Sequence, residues 1–428
     1  MYTYLITQLI GTLLILLVIL LTLIKLGFWK WLFKKIRKFN LWTWLLVLTA
    51  VVGLFLLLLG NQKFALHFAM PPNMHSHTPD KNPPSLPILN AIDFLFTSKD
   101  FEKVSDIGAD PNDVPAQITR TNNEVVKISL AAKEVISEIA PGIYNNYWTF
   151  NGQTPGPMLR VLEGDVIELT LTNDKTSLHE HNIDLHAVTG PGGGAELTKV
   201  KPGESKTFSW KAMAPGLYIY HCATSNVSVH NSHGQYGLIL VQPKSGLESV
   251  DKEFYIAQGE LYTQGGIGQK GLVLFDPQAL LDGNPTYVTF NGKVEQSPRM
   301  KVKKGDRVRI YVGNGGVNLV SSFHIIGEIF DKVYPEAAMG EGSAVLKNVQ
   351  TTTVLPGGAS IVEFTVDVPG KYILVDHALA RMNKGAWAVL QVEGDSSPDI
   401  IKEGATDSEI LNELNSMDMG SMMHSGSH

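Results

Sequence analysis

The chain has 428 residues and one cysteine, Cys222. An intrachain disulfide is therefore excluded, and the thiol is left as core filler, intermolecular cross-link, nucleophile or metal ligand. Acid is missing from the whole N-terminal part. Residues 1–60 hold none of the 41 Asp and Glu, but they hold Lys25, Lys30, Lys34, Lys35, Arg37 and Lys38. Two runs there, residues 4–24 and 41–60, carry no charge and are each long enough to cross a bilayer. The basic segment between them predicts a hairpin of two transmembrane α-helices with both outer ends away from the cytoplasm. A cleaved signal peptide has a shorter apolar region and a positive start, and neither is present. After Gly60 the chain carries 41 acids against 29 of the 35 bases, a net charge of −12. That balance argues against a nucleic-acid partner and suits a soluble part in the periplasm or outside the cell.

Turn residues are abundant: 40 Gly and 22 Pro separate short apolar runs, which predicts many strands and few long helices. The sequence also repeats itself. "YWTFNGQTPGPMLRVLEGDVIELTLTN" near Tyr147 matches "YVTFNGKVEQSPRMKVKKGDRVRIYVGN" near Tyr287. "PGESKTFSWKAMAPGLYIYHCA" matches "PGGASIVEFTVDVPGKYILVDHA", and each copy closes on a strand, "YGLILVQP" or "AWAVLQVEG". The expected fold class is mainly β, with two tandem Greek-key β-sandwiches after the hairpin. The chain divides into the hairpin (1–61), a linker (62–110), a first β domain (111–245), a second (246–396) and a C-terminal tail (397–428). The linker contains a Pro-rich stretch, "MPPNMHSHTPDKNPPSLP", and a segment, "IDFLFTSKDFEKV", expected to form a short helix. The tail reads as partly helical in "DSEILNELNSM" and ends "MDMGSMMHSGSH".

Three segments concentrate histidine. In "HNIDLH" His181 and His186 are an odd number of residues apart, so an extended chain points them to opposite faces, whereas Asp184 and His186 share a face. In "YHC" His221 and Cys222 are adjacent and also point apart. One side can collect His181 and Cys222, the other His186 and His221, and the His221–Cys222 peptide would join the two. Downstream, His230 and Gln235 complete the spacing Cys–x7–His–x4–Gln. Two His, one Cys and a weak axial Met or Gln form the blue-copper ligand set. The second copy has no thiol. Its "LVDHA" places His377 where the first copy has "YHCA". A third His at the His186/His221 site would make a three-nitrogen set with an open position. His324, in "SSFHIIGE", reads as ligand, proton donor or core residue.

With these residues on the page, the chain resembles the copper-containing nitrite reductases over roughly residues 111–394. The motifs that carry the resemblance are "YWTFNG", "GPMLRV.EGD", "HNIDLHAVTGPGGG", "PGLYIYHCA", "HGQYGLILV", "SSFHIIGEIFDKV" and "VDHALAR.NKGA". The resemblance implies two cupredoxin domains and a homotrimer with two coppers per chain. It implies a type 1 copper at His181, Cys222 and His230, and a type 2 copper at His186 and His221 completed by His377 of a neighbouring subunit. It further implies that Asp184 and His324 handle protons and that Ile326 is the apolar residue over the type 2 copper. The implied reaction is NO2− + e− + 2H+ → NO + H2O. Three features depart from the family pattern. Gln235 stands where the axial Met is usual, His179 and His233 are extra, and the usual enzyme is soluble and lacks a hairpin.

Two other functions compete. A multicopper oxidase needs many more histidines for a trinuclear cluster, yet the two β domains hold only His179, His181, His186, His221, His230, His233, His324 and His377. A membrane-tethered copper carrier or electron-transfer module would account for the Met/His tail and "MHSH", but it has no use for Asp184 and His324 beside an open three-histidine site. The axial amide oxygen of Gln235 favours Cu(II) and lowers the potential. Together with a hairpin whose ends carry Trp29, Trp31, Trp42 and Trp44, it points to quinol as electron donor, against a c-type cytochrome or cupredoxin. The expected location is a bacterial or archaeal cell membrane, with the catalytic part periplasmic or extracellular.

Overall fold

In Val166–Asn173 every second side chain, Ile167, Leu169 and Leu171, is fully buried, while Glu168, Thr170 and Thr172 stay partly exposed. This period of two is what a strand with one face on a core requires, and it recurs along the chain. The computed structural model describes residues 101–294 and 299–404, together with Thr49. Thr49 apart, the two expected spans lie outside the described residues, as do the Pro-rich stretch and the tail from residue 405 onward. Among the described residues no helix is long and apolar enough to cross a membrane.

The strands form four sheets. The first runs β11 (Gly271–Leu272), β3 (Ile143–Phe150), β2 (Val125–Ala140), β5 (Val166–Asn173) and β7 (Ser205–Lys211), with β1 (Glu102–Lys103) added on β2. The second runs β4 (Leu159–Leu162), β9 (Tyr236–Gln242), β8 (Gly216–His221) and β6 (Asp184–Leu185). They close on a core that includes Leu130, Ile167, Leu169, Trp210, Tyr220 and Ile239. The third runs β12 (Tyr287–Phe290), β10 (Lys252–Leu261), β14 (Arg307–Asn314), β18 (Ala359–Thr365) and β16 (Lys332–Tyr334). The fourth runs β13 (Met300–Lys303), β20 (Trp387–Glu393), β19 (Gly370–Asp376), β15 (Ser321–Ile326) and β17 (Thr351–Val354). Their shared core includes Phe254, Ile310, Phe323, Phe364 and Leu390.

The sequence repeat is thus a repeat of topology. The order β3-β2-β5-β7 returns as β12-β10-β14-β18, and β4-β9-β8-β6 returns as β13-β20-β19-β15. Pairing sense returns too: β2–β5 and β10–β14 are both parallel, as are β4–β9 and β13–β20.

The second sheet is covered on both faces. Tyr220 and Ile239 point into the first core, while Leu217, Ile219, Leu238 and Leu240 pack on Tyr255, Tyr311 and Ile361 of the third sheet. That explains why all seven residues of β9 are buried, as expected of a strand with no solvent face. The contact also carries charge. Arg160 on β4 bonds Glu253 (2.9 Å) and the Tyr311 hydroxyl (2.7 Å) across the two sandwiches.

Two local expectations need correction. Residues 101–110 fell in the expected linker, and the segment ending at Val104 was expected to be helical. Instead β1 pairs with β2 in parallel, and Phe101, Ile107 and Ala109 are buried. The apolar residues of this segment find a sheet edge and a groove beside Val135 and Tyr147, which no local pattern reveals.

Candidate metal centres

Both candidate centres grow from the pairing of β6 with β8, where Asp184 lies opposite His221 and Leu185 opposite Tyr220. Directly opposed residues of an antiparallel pair share a face. Leu185 and Tyr220 therefore share the core face, and Asp184 and His221 the other. One step further along β8, Cys222 turns back into the core with Ile183 and Leu185. Two steps beyond Asp184, His186 returns to the outer face.

On the core side, one donor atom each of His181, Cys222 and His230 lie within 4.8 Å of one another, and all three residues are buried. Cys222 Sγ is 3.9 Å from His181 Nδ1 and 3.4 Å from Thr224 Oγ1, and it accepts the Asn182 N–H at 3.5 Å. Asn182 also accepts the Ala223 N–H at 2.6 Å, which ties the two strands together beside the sulfur. His230 comes from α1 (Val227–Ser232), and its Nδ1 is 3.2 Å from Gln235 Oε1. Burial pushes the Cys222 thiol up, but His181, Thr224 and the Asn182 N–H outweigh it and bring it below the ordinary thiol value. Burial, helped by the nearby His179, pushes His230 down to about 3. A thiolate and a neutral imidazole are the forms that bind metal, and both shifts favour them. Among the described residues His181 Nε2 and Gln235 Nε2 are buried without a hydrogen-bond partner. A soft thiolate, two imidazoles and an amide oxygen in a buried pocket fit a blue-copper ion.

On the outer face, donor atoms of Asp184, His186 and His221 gather within 4.8 Å. His186 Nε2 and His221 Nε2 face each other at 3.1 Å. His221 Nδ1 donates to the Cys222 carbonyl at 2.9 Å, so Nε2 keeps its lone pair for the site. Burial lowers the His221 pKa, which favours the neutral ring. Two convergent imidazole nitrogens fit a cation between them. The glycine run after His186 serves Asp184. A Cβ on Gly193, whose φ is +56°, would stand 1.8 Å from Asp184 Oδ1, so only glycine lets the backbone approach that carboxylate.

His324 and Ile326 lie on β15 of the second sandwich, and His377 follows its partner strand β19. His324 and His377 have ring centroids 5.3 Å apart. His324 Nδ1 donates to the Gln350 carbonyl at 2.5 Å. Ile326 is 46% exposed, and His377 is exposed. Within one chain, the group around His186 and His221 includes Asp184 and not His377. The register also corrects the expected match of "LVDHA" to "YHCA". Asp376 takes the place of Cys222, since it accepts the Ser322 N–H (3.1 Å) as Cys222 accepts that of Asn182. Arg381 neutralises it at 2.6 Å. Ser321 then stands where His181 does, so the second copy has neither thiolate nor imidazole at this place.

Sequence reasoning missed several residues that hold the thiolate set. Trp148 is flanked by His179 (ring centroids 4.3 Å) and His233 (4.5 Å, stacked), and His230 meets it at its edge (4.5 Å). The two extra histidines therefore pack around the set through one tryptophan. Glu134, opposite Trp148 on β2, is fully buried and accepts the N–H groups of Leu178 (2.8 Å) and His179 (2.9 Å). Burial raises its pKa, but contacts with His179 and His181 overcome this and hold the carboxyl well below the usual range. The signal for Trp148 was its place in "YWTFNG"; Glu134 had none.

Comparison with known proteins is consistent with this geometry. A sequence model of the family described as multicopper oxidase matches residues 132–246. The copper-containing nitrite reductase of Neisseria meningitidis serogroup A / serotype 4A is 50% identical over 299 residues, 69% of this chain and 76% of that protein. That of Neisseria gonorrhoeae is also 50% identical over 299 residues, covering 69% and 75%. The solved copper nitrite reductase from Nitrosomonas europaea superposes with a TM-score of 0.56 at 32% identity, covering 67% of this chain and 99% of that one. Fold and donor sets define a mainly β, cupredoxin-like copper protein. The chain belongs to the copper-containing nitrite reductases, and its enzyme activity is copper-dependent reduction of nitrite.

Proposed function

We propose that this enzyme is a membrane-anchored nitrite reductase that forms nitric oxide, with a type 1 copper at His181, Cys222, His230 and Gln235 and a type 2 copper at His186 and His221. The observation that carries the reading is the placement of His221 and Cys222. They are consecutive in sequence, His221 closing β8 and Cys222 following it, yet belong to different donor sets. Bound copper would supply the one-electron redox change at the thiolate set and Lewis-acid binding of nitrite at the histidine pair. The chain supplies the rest. The His221–Cys222 peptide gives a short covalent route between the sets. Asp184, held by the close approach of Gly193, lies beside the histidine pair and carries one proton. His324 carries the second, with its Nδ1 donating to the Gln350 carbonyl so that Nε2 faces outward. His377 completes the histidine pair of a neighbouring subunit in a homotrimer, which brings His324 and the apolar Ile326 to the same pocket. The exposure of His377 and Ile326 in a single chain supports this arrangement.

In this reading the segments before residue 101 anchor the trimer in a bacterial or archaeal membrane, with the catalytic part outside the cytoplasm and quinol as electron donor. The test is nitrite-dependent NO release by full-length protein in nanodiscs, first with a dye donor and then with a quinol. NO with both donors is expected. Absence of NO with the dye would overturn the reaction. NO with the dye but not with quinol would overturn the donor and leave a c-type cytochrome or cupredoxin in its place.

A further inference from the structure

The two sandwiches provide an internal control for Glu134. Its counterpart is Glu260 on β10. Glu134 pairs with Trp148 two residues from the Ala132–Phe150 pair, and Glu260 pairs with Val288 two residues from the Gln258–Phe290 pair. Each carboxylate accepts two successive backbone N–H groups from the segment entering the opposite sheet. These are Leu178 and His179 for Glu134 (2.8 and 2.9 Å) and Asn318 and Leu319 for Glu260 (3.1 and 2.7 Å). Pinning that segment is therefore the role that both copies share.

The copies then diverge. The Tyr262 hydroxyl donates to Glu260 Oε2, and Ser321, the counterpart of His181, donates its hydroxyl to Gln258 at 2.7 Å. In the first copy Glu134 Oε2 is buried with no partner among the described residues, and so is His181 Nε2. They belong to neighbouring groups: His181 Nε2 is 3.5 Å from Glu134 Oε1. His181 presents its other nitrogen, Nδ1, to Cys222 Sγ. A metal-bound imidazole characteristically donates its second N–H to a carboxylate, which fixes the ring and raises its basicity. A buried negative charge also stabilises the oxidised, more positive state of the site over the reduced one, with little screening from solvent.

We propose that Glu134 is the positioning residue of the thiolate site: it accepts the Nε2–H of His181 when Nδ1 binds copper, and it lowers the reduction potential of that copper. The proposal rests on the reading that His181, Cys222 and His230 hold the type 1 ion. It is tested on the copper-loaded enzyme by redox titration of the thiolate-to-copper band in E134Q and in E260Q. E134Q should keep the band and shift the reduced-to-oxidised ratio at fixed potential at least tenfold toward the reduced form, which is 59 mV for a one-electron couple. E260Q should leave the potential unchanged. Equal potentials in wild type and E134Q, or equal shifts in both variants, would overturn the proposal. If E134Q fails to fold or to load copper, 15N NMR of histidine in the reduced wild-type enzyme decides. A His181 Nε2 proton in slow exchange supports the proposal, and a deprotonated or freely exchanging Nε2 overturns it. A wild-type band that survives Cys222→Ser would instead remove the underlying assignment of the type 1 site.

Discussion

At the scale of single residues the decisive feature is donor hardness. Gln235 presents an amide oxygen toward His230 where the family pattern has a thioether. Gln235→Met should raise the potential of the thiolate-bound copper, because the softer donor stabilises Cu(I). A redox titration that finds no rise would remove Gln235 from the ligand set. What could be read at this scale followed range. His181, His186, His221 and Cys222 divide between faces by parity alone, because alternation along a strand is local. Glu134 was invisible because its partners lie more than forty residues away, and a buried glutamate leaves no pattern of its own in a strand.

At the scale of elements, two short segments control the sites. The glycine run lets backbone reach Asp184, so Gly193→Ala should push the carboxylate away. Turnover should fall about 10²-fold, as loss of a proton donor does, and Asp184→Asn should do the same, with the thiolate band unchanged in both. Full activity in Gly193→Ala would show that the position of Asp184 does not matter. The second segment is α1 and the residue that follows it. Burial pushes His233 down to about 4 from 6.5. The folded state therefore binds fewer protons than the unfolded state between those values. Stability from this group is whole above pH 6.5 and is lost as pH falls toward 4. The size is of order 3 kcal/mol. His233→Phe keeps the stacking on Trp148, so the metal-free variant should lose less stability between pH 7 and 4.5 in urea titrations. An unchanged pH slope would assign the acid sensitivity to other groups. The repeat announced both sandwiches because each copy carries the same strands in the same order. The docking of residues 101–110 was missed, since those residues fill a groove that exists only after folding.

At the scale of the whole molecule, the proposed histidine site draws on both sandwiches, and within one chain the donor cluster of His186 and His221 includes Asp184 and not His377. Assembly should therefore be part of catalysis. His377→Ala alone should lose nitrite reduction and keep the thiolate band, and His221→Ala alone should also be inactive. Co-expressed, the two variants should regain activity, with about a quarter of inter-subunit sites intact under random mixing in a cyclic trimer. No recovery would mean that each chain builds its site alone. The sandwiches themselves are joined through the apolar face of β8 and β9 and the Arg160–Glu253 pair. In this reading the His221–Cys222 step at the end of β8 divides two coppers between two faces. Optical and EPR spectra with copper quantitation, recorded on wild type and Cys222→Ser, test it most directly. The account predicts two coppers per chain in the wild type, with a thiolate-type and an ordinary cupric signal, and loss of only the former in Cys222→Ser. Four coppers per chain, or loss of both signals together, would contradict it.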